Sequence, residues 1–308
     1  MINFYRTFLF TLTWIICLSS FGQQVVDSSF VAHIVHPAYE QNKGPRILID
    51  EAHNNGGVLK PSFTILSETL KKDGYRVSTN NHEISRDIIQ PYDILVIVDP
   101  LAAQNIDNWQ LPTPPVFKTS EVKAIKKFVN EGGSLFLAVD HMPFPGASQR
   151  LAQVFGINFI NGFAIDTLEW DLTTFSRKAG SLRQHPIIEG RNANENISEV
   201  GSYFGQCFTT YNVDLTPMLV FNNENIVCYL PRKAWIFNSD CKMIGATGLD
   251  QGLAGKSGKG RLVILGDSSL AGAYLIGKKE RRVGMNSIEE KDNLQFVLNI
   301  FHWLSGLF

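Results

Sequence analysis

The sequence predicts a three-layer α/β fold, in which helices cover both faces of a sheet of parallel strands. Short apolar runs alternate along the chain with longer segments whose apolar residues recur at helical spacing. Such short runs are typical of strands that are buried on both faces, as the strands of parallel sheets are. The composition agrees, because 44% hydrophobic and 19% charged residues are ordinary values for a globular protein.

The first predicted elements lie between residues 46 and 78. Residues 46–50 form an apolar run directly after a Gly-Pro pair, which indicates a buried strand. Residues 61–72 carry apolar side chains on one helical face, and Asp73-Gly74 ends that helix. Residues 75–78 form the second strand.

The middle of the predicted sheet comes next. Residues 94–98 are a third apolar run and the third strand. Thr119-Ser120-Glu121 opens an amphipathic helix that extends through Val129 and is closed by Gly132-Gly133. Residues 134–139 form the fourth strand.

The last predicted elements are a helix over residues 147–155, a strand over residues 261–265 and an amphipathic helix near residues 292–304. Residues 157–260 break this rhythm with short β-like runs and many Asn and Gly residues, so we expect a β-rich insertion before the last core strand. Residues 252–260 are the predicted flexible loop. Right-handed crossovers between such strands give a flavodoxin-like order, and we expect residues 23–308 to form one domain.

The first 22 residues have the pattern of a secretory signal peptide. An arginine is followed by an apolar stretch from Phe8 to Leu18, and Ser20-Phe21-Gly22 offers a cleavage site. A membrane anchor is the alternative, but the stretch is too short to span about 30 Å of hydrocarbon. We therefore expect an exported protein, periplasmic or extracellular, with no stable membrane span after cleavage.

The net charge of −1 becomes 27 − 29 = −2 once the predicted signal, with its one arginine, is removed. No basic excess is available to neutralise phosphates, so we expect no nucleic-acid partner. Three cysteines remain, Cys207, Cys228 and Cys241. Export permits one disulfide, with Cys228 and Cys241 as the first pair to test. The alternative is that all three are small buried apolar residues.

Polar side chains follow four of the five predicted core strands, at the edge where parallel α/β sheets bind ligands. They are Asp50, Glu51, His53, Asn54 and Asn55 after the first strand, Asp99 after the third, Asp140 and His141 after the fourth, and Asp267 and Ser268 after the last. Asp267 and Ser268 could equally cap the next helix, and Asp99 before Pro100 could be an ordinary turn residue.

The proposed catalytic centre consists of Glu51, His53, Asp140 and His141. His141 would act as a general base or metal ligand, and Asp140 or Glu51 would orient it. If His53, His141 and a carboxylate converge, zinc or another divalent ion would fit there.

The remaining polar residues of the predicted edge are assigned to ligand binding: Asp50, Asn54, Asn55, Asp99, Asp267 and Ser268. The His185-Pro186 turn could bring His185 to the same edge, although a loop histidine beside a rigid turn explains it equally well. Asn293 opens the last predicted helix and could face the site or act as a simple cap.

Three segments together resemble the class I glutamine-amidotransferase-like superfamily, in its uncharacterised secreted and ThuA-like branches. They are residues 47–55, the stretch from Gly132 to Ala147 and residues 185–190. The resemblance implies a flavodoxin-like sheet with its site at the strand ends. It departs at one point, because amidotransferases carry a nucleophilic Cys where this chain has Asp140-His141.

The ThuA-like relatives are associated with carbohydrate metabolism, which the resemblance extends to this chain as an expectation. The predicted function is therefore an exported hydrolase or lyase that acts on a carbohydrate-like small molecule. The alternative is a non-catalytic domain of the cell envelope that binds a ligand or a partner at the same polar edge.

Overall fold

The computed structural model describes residues 24–56, 61–170 and 172–308. The predicted signal peptide lies outside the described residues. The strands are β1 (Gln24–Val26), β2 (Arg46–Asp50), β3 (Arg76–Asn80), β4 (Ile94–Val98), β5 (Ser134–Ala138), β6 (Ile157–Phe159), β7 (Phe163–Asp166), β8 (Thr173–Ser176), β9 (Glu199–Ser202), β10 (Phe208–Thr210), β11 (Leu215–Val220), β12 (Ile226–Leu230), β13 (Lys242–Gly245), β14 (Asp250–Ser257), β15 (Gly260–Leu265), β16 (Ala273–Ile276) and β17 (Arg281–Gly284). The α-helices are α1 (Pro61–Lys72), α2 (Arg86–Ile89), α3 (Thr119–Glu131), α4 (Phe144–Gln153), α5 (Pro186–Glu189) and α6 (Asn293–Leu304).

The protein has a mixed α/β architecture built on one large sheet. Five parallel strands stand in the order β3-β2-β4-β5-β15, and antiparallel strands β14, β10 and β6 extend the sheet beyond β15. β11 also pairs with β14. In chain order the parallel strands therefore read 2-1-3-4-5, and the order reverses at β2.

Helices cover both faces of the parallel strands. Leu66 of α1 and Phe301 of α6 pack in one core cluster with Ile47 and Val96. Ile125 of α3 packs in the other cluster, with Leu48 and Leu95 among its partners. Adjacent residues of one strand thus enter opposite clusters, as the alternation of side chains along a strand requires.

Residues 157–260 supply four strands to the large sheet, so the sheet is mixed and not purely parallel. The other strands of this segment form a three-stranded sheet, β13-β12-β7, and a two-stranded sheet, β8-β9.

The prediction of a flexible loop over residues 252–260 is wrong. Most of that segment lies in β14, which forms a hairpin with β15. Gly255 also lets β11 pair closely with the other side of β14, because a β-carbon there would lie 2.2 Å from the carbonyl oxygen of Asp214, the residue before β11.

The fourth helix also differs from its prediction, since it begins at Phe144 and not at residue 147. Pro145 stands in its first turn, where a missing N–H costs nothing. Among the described residues, no helix is both long and apolar enough to cross a membrane.

Candidate functional site

Four buried aspartates stand at the carboxyl ends of β2, β4, β5 and β15. The exposed fractions are 0% for Asp50, 2% for Asp99, 7% for Asp140 and 0% for Asp267. Their strands are the four adjacent central strands of the parallel sheet. The strand ends thus converge as the sequence predicts, and the reversal of strand order at β2 is where such sheets bind ligands.

Asp99, Asp140 and Ser268 form a hydrogen-bonded group. The Ser268 hydroxyl donates to Oδ2 of Asp99 over 2.5 Å and also bonds to the Asp140 side chain. The backbone N–H of Asp140 donates to Oδ1 of Asp99 over 2.8 Å. Because a hydroxyl has a single proton, Ser268 can donate to only one of the two carboxyl groups at a time.

The electrostatics of this group favour protonation of its carboxyl groups. Burial raises the pKa of Asp140 well above its usual range, and the charges of Asp267 and Asp99 raise it further. Burial likewise raises the pKa of Asp99 to about 7, against the opposing hydrogen bonds from Ser268 and Asp140. The site therefore holds two carboxyl groups whose pKa values are raised above the usual range of an aspartate.

Asp99 is more than the ordinary turn residue that its Pro100 neighbour suggests. Its φ angle is +44°, a backbone conformation that residues other than glycine adopt only at an energetic cost. The backbone there accepts the N–H of Gly56 and donates to the Ala138 carbonyl. These bonds hold the strained residue between the ends of β2 and β5.

Asp267 caps the next helix, and Ser268 lies in the site, although the sequence left both roles open for each residue. Oδ1 of Asp267 accepts the Ser269 N–H over 2.7 Å, which opens a short 3₁₀ helix, and Oδ2 accepts the Tyr203 N–H. The Ser268 side chain makes no capping bond and faces Asp99 instead. Asp267 thus organises the turn, and Ser268 belongs to the site.

His53 lies between two buried carboxylates. Nδ1 is 2.8 Å from Oδ2 of Asp50, and Nε2 is 3.0 Å from Oε1 of Glu121. Burial alone would lower the pKa of His53, but the hydrogen bond and charge of Asp50, together with Glu121, outweigh it and raise the pKa. The imidazole therefore favours its charged form.

Glu121 is a site residue that was not predicted, because its position in the sequence indicates only the first turn of a helix. Its Oε2 accepts the Lys118 N–H, and its Oε1 accepts the Ile84 N–H as well as the His53 contact. A glutamate three residues into a helix is a capping signal, but nothing in the spacing points to a histidine after a different strand.

The other residues after β2 have distinct environments. Asn55 is buried and donates through Nδ2 to Asp50 and to the Val98 carbonyl, which links the His53 group to β4. Asn54 is exposed, with φ +49°, and donates to the Leu101 carbonyl. Glu51 is half-buried, and its backbone N–H donates to the Asn80 carbonyl.

His141 lies among aromatic rings. Its ring stacks on Phe163 at a centroid distance of 4.1 Å and meets Trp235 edge-on at 4.8 Å. Nδ1 lies 2.8 Å from the Met142 carbonyl oxygen, which can only accept, so Nδ1 carries the proton and Nε2 keeps the lone pair. Burial lowers the pKa of His141 to about 4.

Asp140, one of the two residues predicted to orient the His141 ring, does not do so. Its Oδ1 accepts the backbone N–H of His141 over 2.7 Å, and the Met142 carbonyl fixes the ring instead.

We call the rings that contact His141, together with further rings packed against them, the aromatic wall. It consists of Trp109, Phe144, Phe163, Trp170, Phe204, Trp235 and Phe237. Trp170, Phe204 and Trp235 all have positive φ angles, of 49°, 64° and 65°. These bulky residues are held in costly backbone conformations beside the site, a pattern that clusters at functional positions. The sequence gives no signal for this assembly, because its members come from distant segments.

The predicted metal site shared by His53 and His141 does not form. His53 uses both ring nitrogens for Asp50 and Glu121, and the Nδ1 proton of His141 is directed at Met142. Within residues 24–56, 61–170 and 172–308, no three side chains from His, Cys, Asp and Glu are arranged to hold a metal ion. The residues therefore do not fit a zinc centre.

His185 lies at the opposite edge of the sheet. Its Nδ1 accepts the Ile187 N–H at the start of α5, and its ring contacts Trp303 of α6 at 5.2 Å. Burial lowers its pKa to about 4, with a further contribution from Arg261, the second residue of β15. The histidine is a helix cap because α5 packs on α6, beside the amino end of β15.

Asn293 is also structural. Oδ1 accepts the Gly201 N–H, and Nδ2 donates to the carbonyls of Gly201 and Gly284. These bonds join the start of α6 to β9 and β17, so the side chain does not serve as a ligand contact.

No family model matches the sequence, and no curated protein matches it. Solved structures do resemble the chain. The mmIFT52 N-terminal domain aligns over 85% of this chain and 97% of its own length, with a TM-score of 0.56 and 12% identity.

Other solved structures resemble the chain less well. A protein described as ThuA-like from Bacteroides uniformis covers 89% of this chain and 94% of its own, with a TM-score of 0.46 and 11% identity. The cytoplasmic protein STM3548 from Salmonella typhimurium covers 84% of this chain and 98% of its own, with a TM-score of 0.46 and 15% identity. ThuA-like proteins are thus among the structural neighbours, and the likeness to the mmIFT52 domain shows a shared fold without indicating the chemistry.

Proposed function

We propose that the protein is an acid–base enzyme, a hydrolase or lyase, that acts on a carbohydrate-like small molecule at the carboxyl ends of β4, β5 and β15. One observation carries the proposal. A carboxyl group that favours its protonated form, Asp140, directly precedes an imidazole that favours its neutral form, His141. Neighbouring groups whose pKa values are displaced in this way are typical of an acid and a base in one active site.

In this mechanism Asp140 is the general acid. It donates its proton to the leaving group of the substrate, and its 7% exposed fraction makes it the most accessible of the three aspartates around Ser268. Ser268 and Asp99 lie behind it and can return a proton, because the pKa of Asp99 is about 7.

His141 is the general base. Its Nε2 lone pair accepts the proton of an attacking water or of a substrate carbon, and Met142 holds the tautomer that this requires. His53 is assigned a positioning role, because Asp50 and Glu121 occupy both of its nitrogens. Glu51, the residue after β2, remains a proposed member of the catalytic centre.

The aromatic wall supports the proposed substrate class. Trp109, Trp235 and Phe237 are half-buried and offer flat apolar faces beside His141. A sugar ring has apolar C–H faces that pack on such rings and hydroxyl edges that hydrogen-bond with polar groups.

We also propose that the fold is flavodoxin-like and that the chain belongs to a ThuA-like branch of the class I glutamine-amidotransferase-like superfamily. The parallel strand order 2-1-3-4-5 supports the first statement. Asp140 and His141, where amidotransferases place the nucleophilic Cys, support a chemistry without that nucleophile. Export to the periplasm or beyond rests on residues 1–22, and no nucleic-acid partner is proposed.

A non-catalytic ligand-binding domain of the cell envelope is the second candidate. The burial of Asp99 and Asp267 favours it, because both carboxyl groups are fully engaged in hydrogen bonds within the protein.

The test is a screen of purified protein against glycosides and esters, repeated with Asp140→Asn and His141→Gln. We expect turnover of at least one substrate, and a loss of about 10²–10⁴-fold in kcat for each variant. Asp93→Asn is the matched control, since Asp93 is an exposed carboxylate at the opposite edge of the sheet. Binding of a ligand without turnover, unchanged by either variant, would favour the second candidate.

A further inference from the structure

We propose that a cleft beside α6 binds a small organic anion, a ligand that carries a negatively charged head group on an apolar body. The cleft has a volume of about 770 Å³. Cavities that bind small molecules commonly measure about 300–1,000 Å³. None of the described residues that line it belongs to the group of Asp99, Asp140 and Ser268 or to the aromatic wall. The proposal therefore does not depend on the proposed function.

One face of α6 forms a wall of the cleft. The other walls come from two segments, residues 33–36 and residues 191–195. Leu294, Leu298 and His302 line the cleft and follow one another every four residues, which places them on the same face of the helix. Phe296 and Ile300 pack in the core cluster of the sheet instead. The helix thus presents one face to the sheet and another to the cleft.

The charged groups of the cleft leave an excess of positive charge. Glu195 is the one acidic residue among the described lining residues, and its carboxylate accepts Nε and Nη2 of Arg191 over 2.6–3.0 Å. Lys291 is exposed and has no ion-pair partner in the part of the chain that the structure describes. The carboxylate of its neighbour Asp292 is occupied by the N–H and hydroxyl of Ser198. The lysine is therefore free to attract an anion.

Three histidines add hydrogen-bonding groups to the cleft. His33 and His36 are exposed, and an imidazole offers at least one N–H donor in either charge state. His302 is 1% exposed, and its Nε2 lies 2.7 Å from Oδ2 of Asp73. Its Nδ1 has no hydrogen-bond partner within the described residues, although most buried polar atoms in proteins have one. The wall of the cleft thus keeps a hydrogen-bonding position that the fold itself does not use.

The apolar lining indicates the other half of the ligand. Ile34 and Val35 line the cleft together with Leu294 and Leu298 of α6. Val35 is 66% exposed and Leu298 is 4% exposed, so apolar surface lies both in solvent and in the enclosed part of the cleft. Exposed apolar surface beside polar groups is typical of a ligand-binding groove. An alkyl chain that covers it would add to the affinity of the anionic head group.

The experiment is an NMR titration of the nitrogen-15-labelled full chain with hexanoate, hexyl phosphate, inorganic phosphate and neutral 1-hexanol. We expect both organic anions to bind about fivefold more tightly than hexanol, because only they can pair with Lys291. Inorganic phosphate lacks the apolar body and should bind more weakly than hexyl phosphate. The amide signals that shift should include those of residues 33–36 and 191–195. The comparison of hexanoate with hexyl phosphate shows which head group the cleft prefers.

Three exposed positions provide the variants. Lys291→Gln should weaken the binding of hexanoate by about fivefold and leave hexanol unchanged. Val35→Ser should weaken both probes alike. Lys278→Gln is the matched control, since Lys278 is an exposed lysine in the turn between β16 and β17.

Three results would overturn the proposal. The first is that neither organic anion binds at concentrations up to about 10 mM. The second is an equal affinity for hexanoate and hexanol, or an affinity for hexanoate that Lys291→Gln leaves unchanged. The third is that the shifted amide signals lie outside the cleft.

Discussion

The imidazole of His53 lies 3.0 Å from the carboxylate of Glu121, 68 residues further along the chain. The contact joins the loop after β2 to the first turn of α3. Because the same carboxylate accepts the backbone N–H groups of Ile84 and Lys118, Glu121 ties three segments together at the edge of the sheet. Loss of this carboxylate should therefore affect both the charge of His53 and the stability of the fold.

Replacing Glu121 with Gln should lower the pKa of His53. It should also lower the free energy of unfolding by about 2 kcal/mol, because a buried hydrogen bond to a charged group is lost. The pKa of His53 is raised in the folded protein. The charged imidazole therefore stabilises the fold fully below the unfolded pKa of about 6.5, and this contribution is lost as the pH rises through the folded pKa. The loss of unfolding free energy in the Glu121→Gln variant should thus be larger at about pH 6 than at about pH 9. Urea unfolding at the two pH values measures it.

The matched control is Glu83→Gln. Glu83 forms an exposed ion pair with Lys118, near Glu121, so its removal should leave the urea midpoint unchanged. An equal loss of stability in the two variants would contradict the role assigned to Glu121.

Asp140→Asn should fold as stably as the wild type near about pH 4 and more stably near neutral pH. An asparagine is isosteric with a protonated aspartate, so its Oδ1 can accept the His141 N–H while its Nδ2 donates to Ser268. The pKa of Asp140 is raised in the folded protein, so the wild type loses stability as the pH rises above the unfolded value of about 3.9, and the variant escapes this loss.

Calorimetry of the two proteins between about pH 4 and pH 7 tests this, with melting temperatures expected to agree within about 2 °C at the lower value and to favour the variant at the higher. A variant that is less stable at every pH would show that Asp140 is ionised in the folded state.

The elements that position the site could be predicted from the sequence because they are local. The apolar run at residues 46–50 and the helix at residues 61–72 have the bounds expected for them. Burial on both faces leaves such a strand few polar residues, and the first polar residue after it marks the sheet edge. Asp99 and Asp140 were therefore placed correctly at that edge.

The contacts within the site could not be predicted, because they depend on long-range packing. No local pattern distinguishes His185, a cap at the far edge, from His141 at the near edge. Glu121 and Trp235 reach the site through helix and loop packing that no spacing encodes. The predicted zinc site shared with His141 does not form for the same reason, because Asp50 and Glu121 occupy both ring nitrogens of His53.

His141 should remain neutral at pH values where an exposed histidine is charged. Its pKa is lowered to about 4 by burial, so the Nδ1–H tautomer should persist well below about 6.5. Nitrogen-15 NMR of labelled histidines gives both the tautomer and the midpoint, and His141→Gln assigns the signal. His185, with a pKa of about 4 as well, should keep its own titration in that variant. A His141 midpoint near 6.5 would remove the distinction between acid and base on which the proposed mechanism depends.

The backbone at Trp235 should tolerate glycine better than alanine. Its φ angle is 65°, where a β-carbon costs about 1 kcal/mol or more, and both substitutions remove the same indole packing. Trp235→Gly should therefore be about 1 kcal/mol more stable than Trp235→Ala, the reverse of the usual order for these two residues. Denaturant unfolding of the pair measures the difference directly, because the lost contacts with His141 and Phe163 cancel between them. Equal stabilities would mean that Trp235 imposes no backbone strain on the aromatic wall.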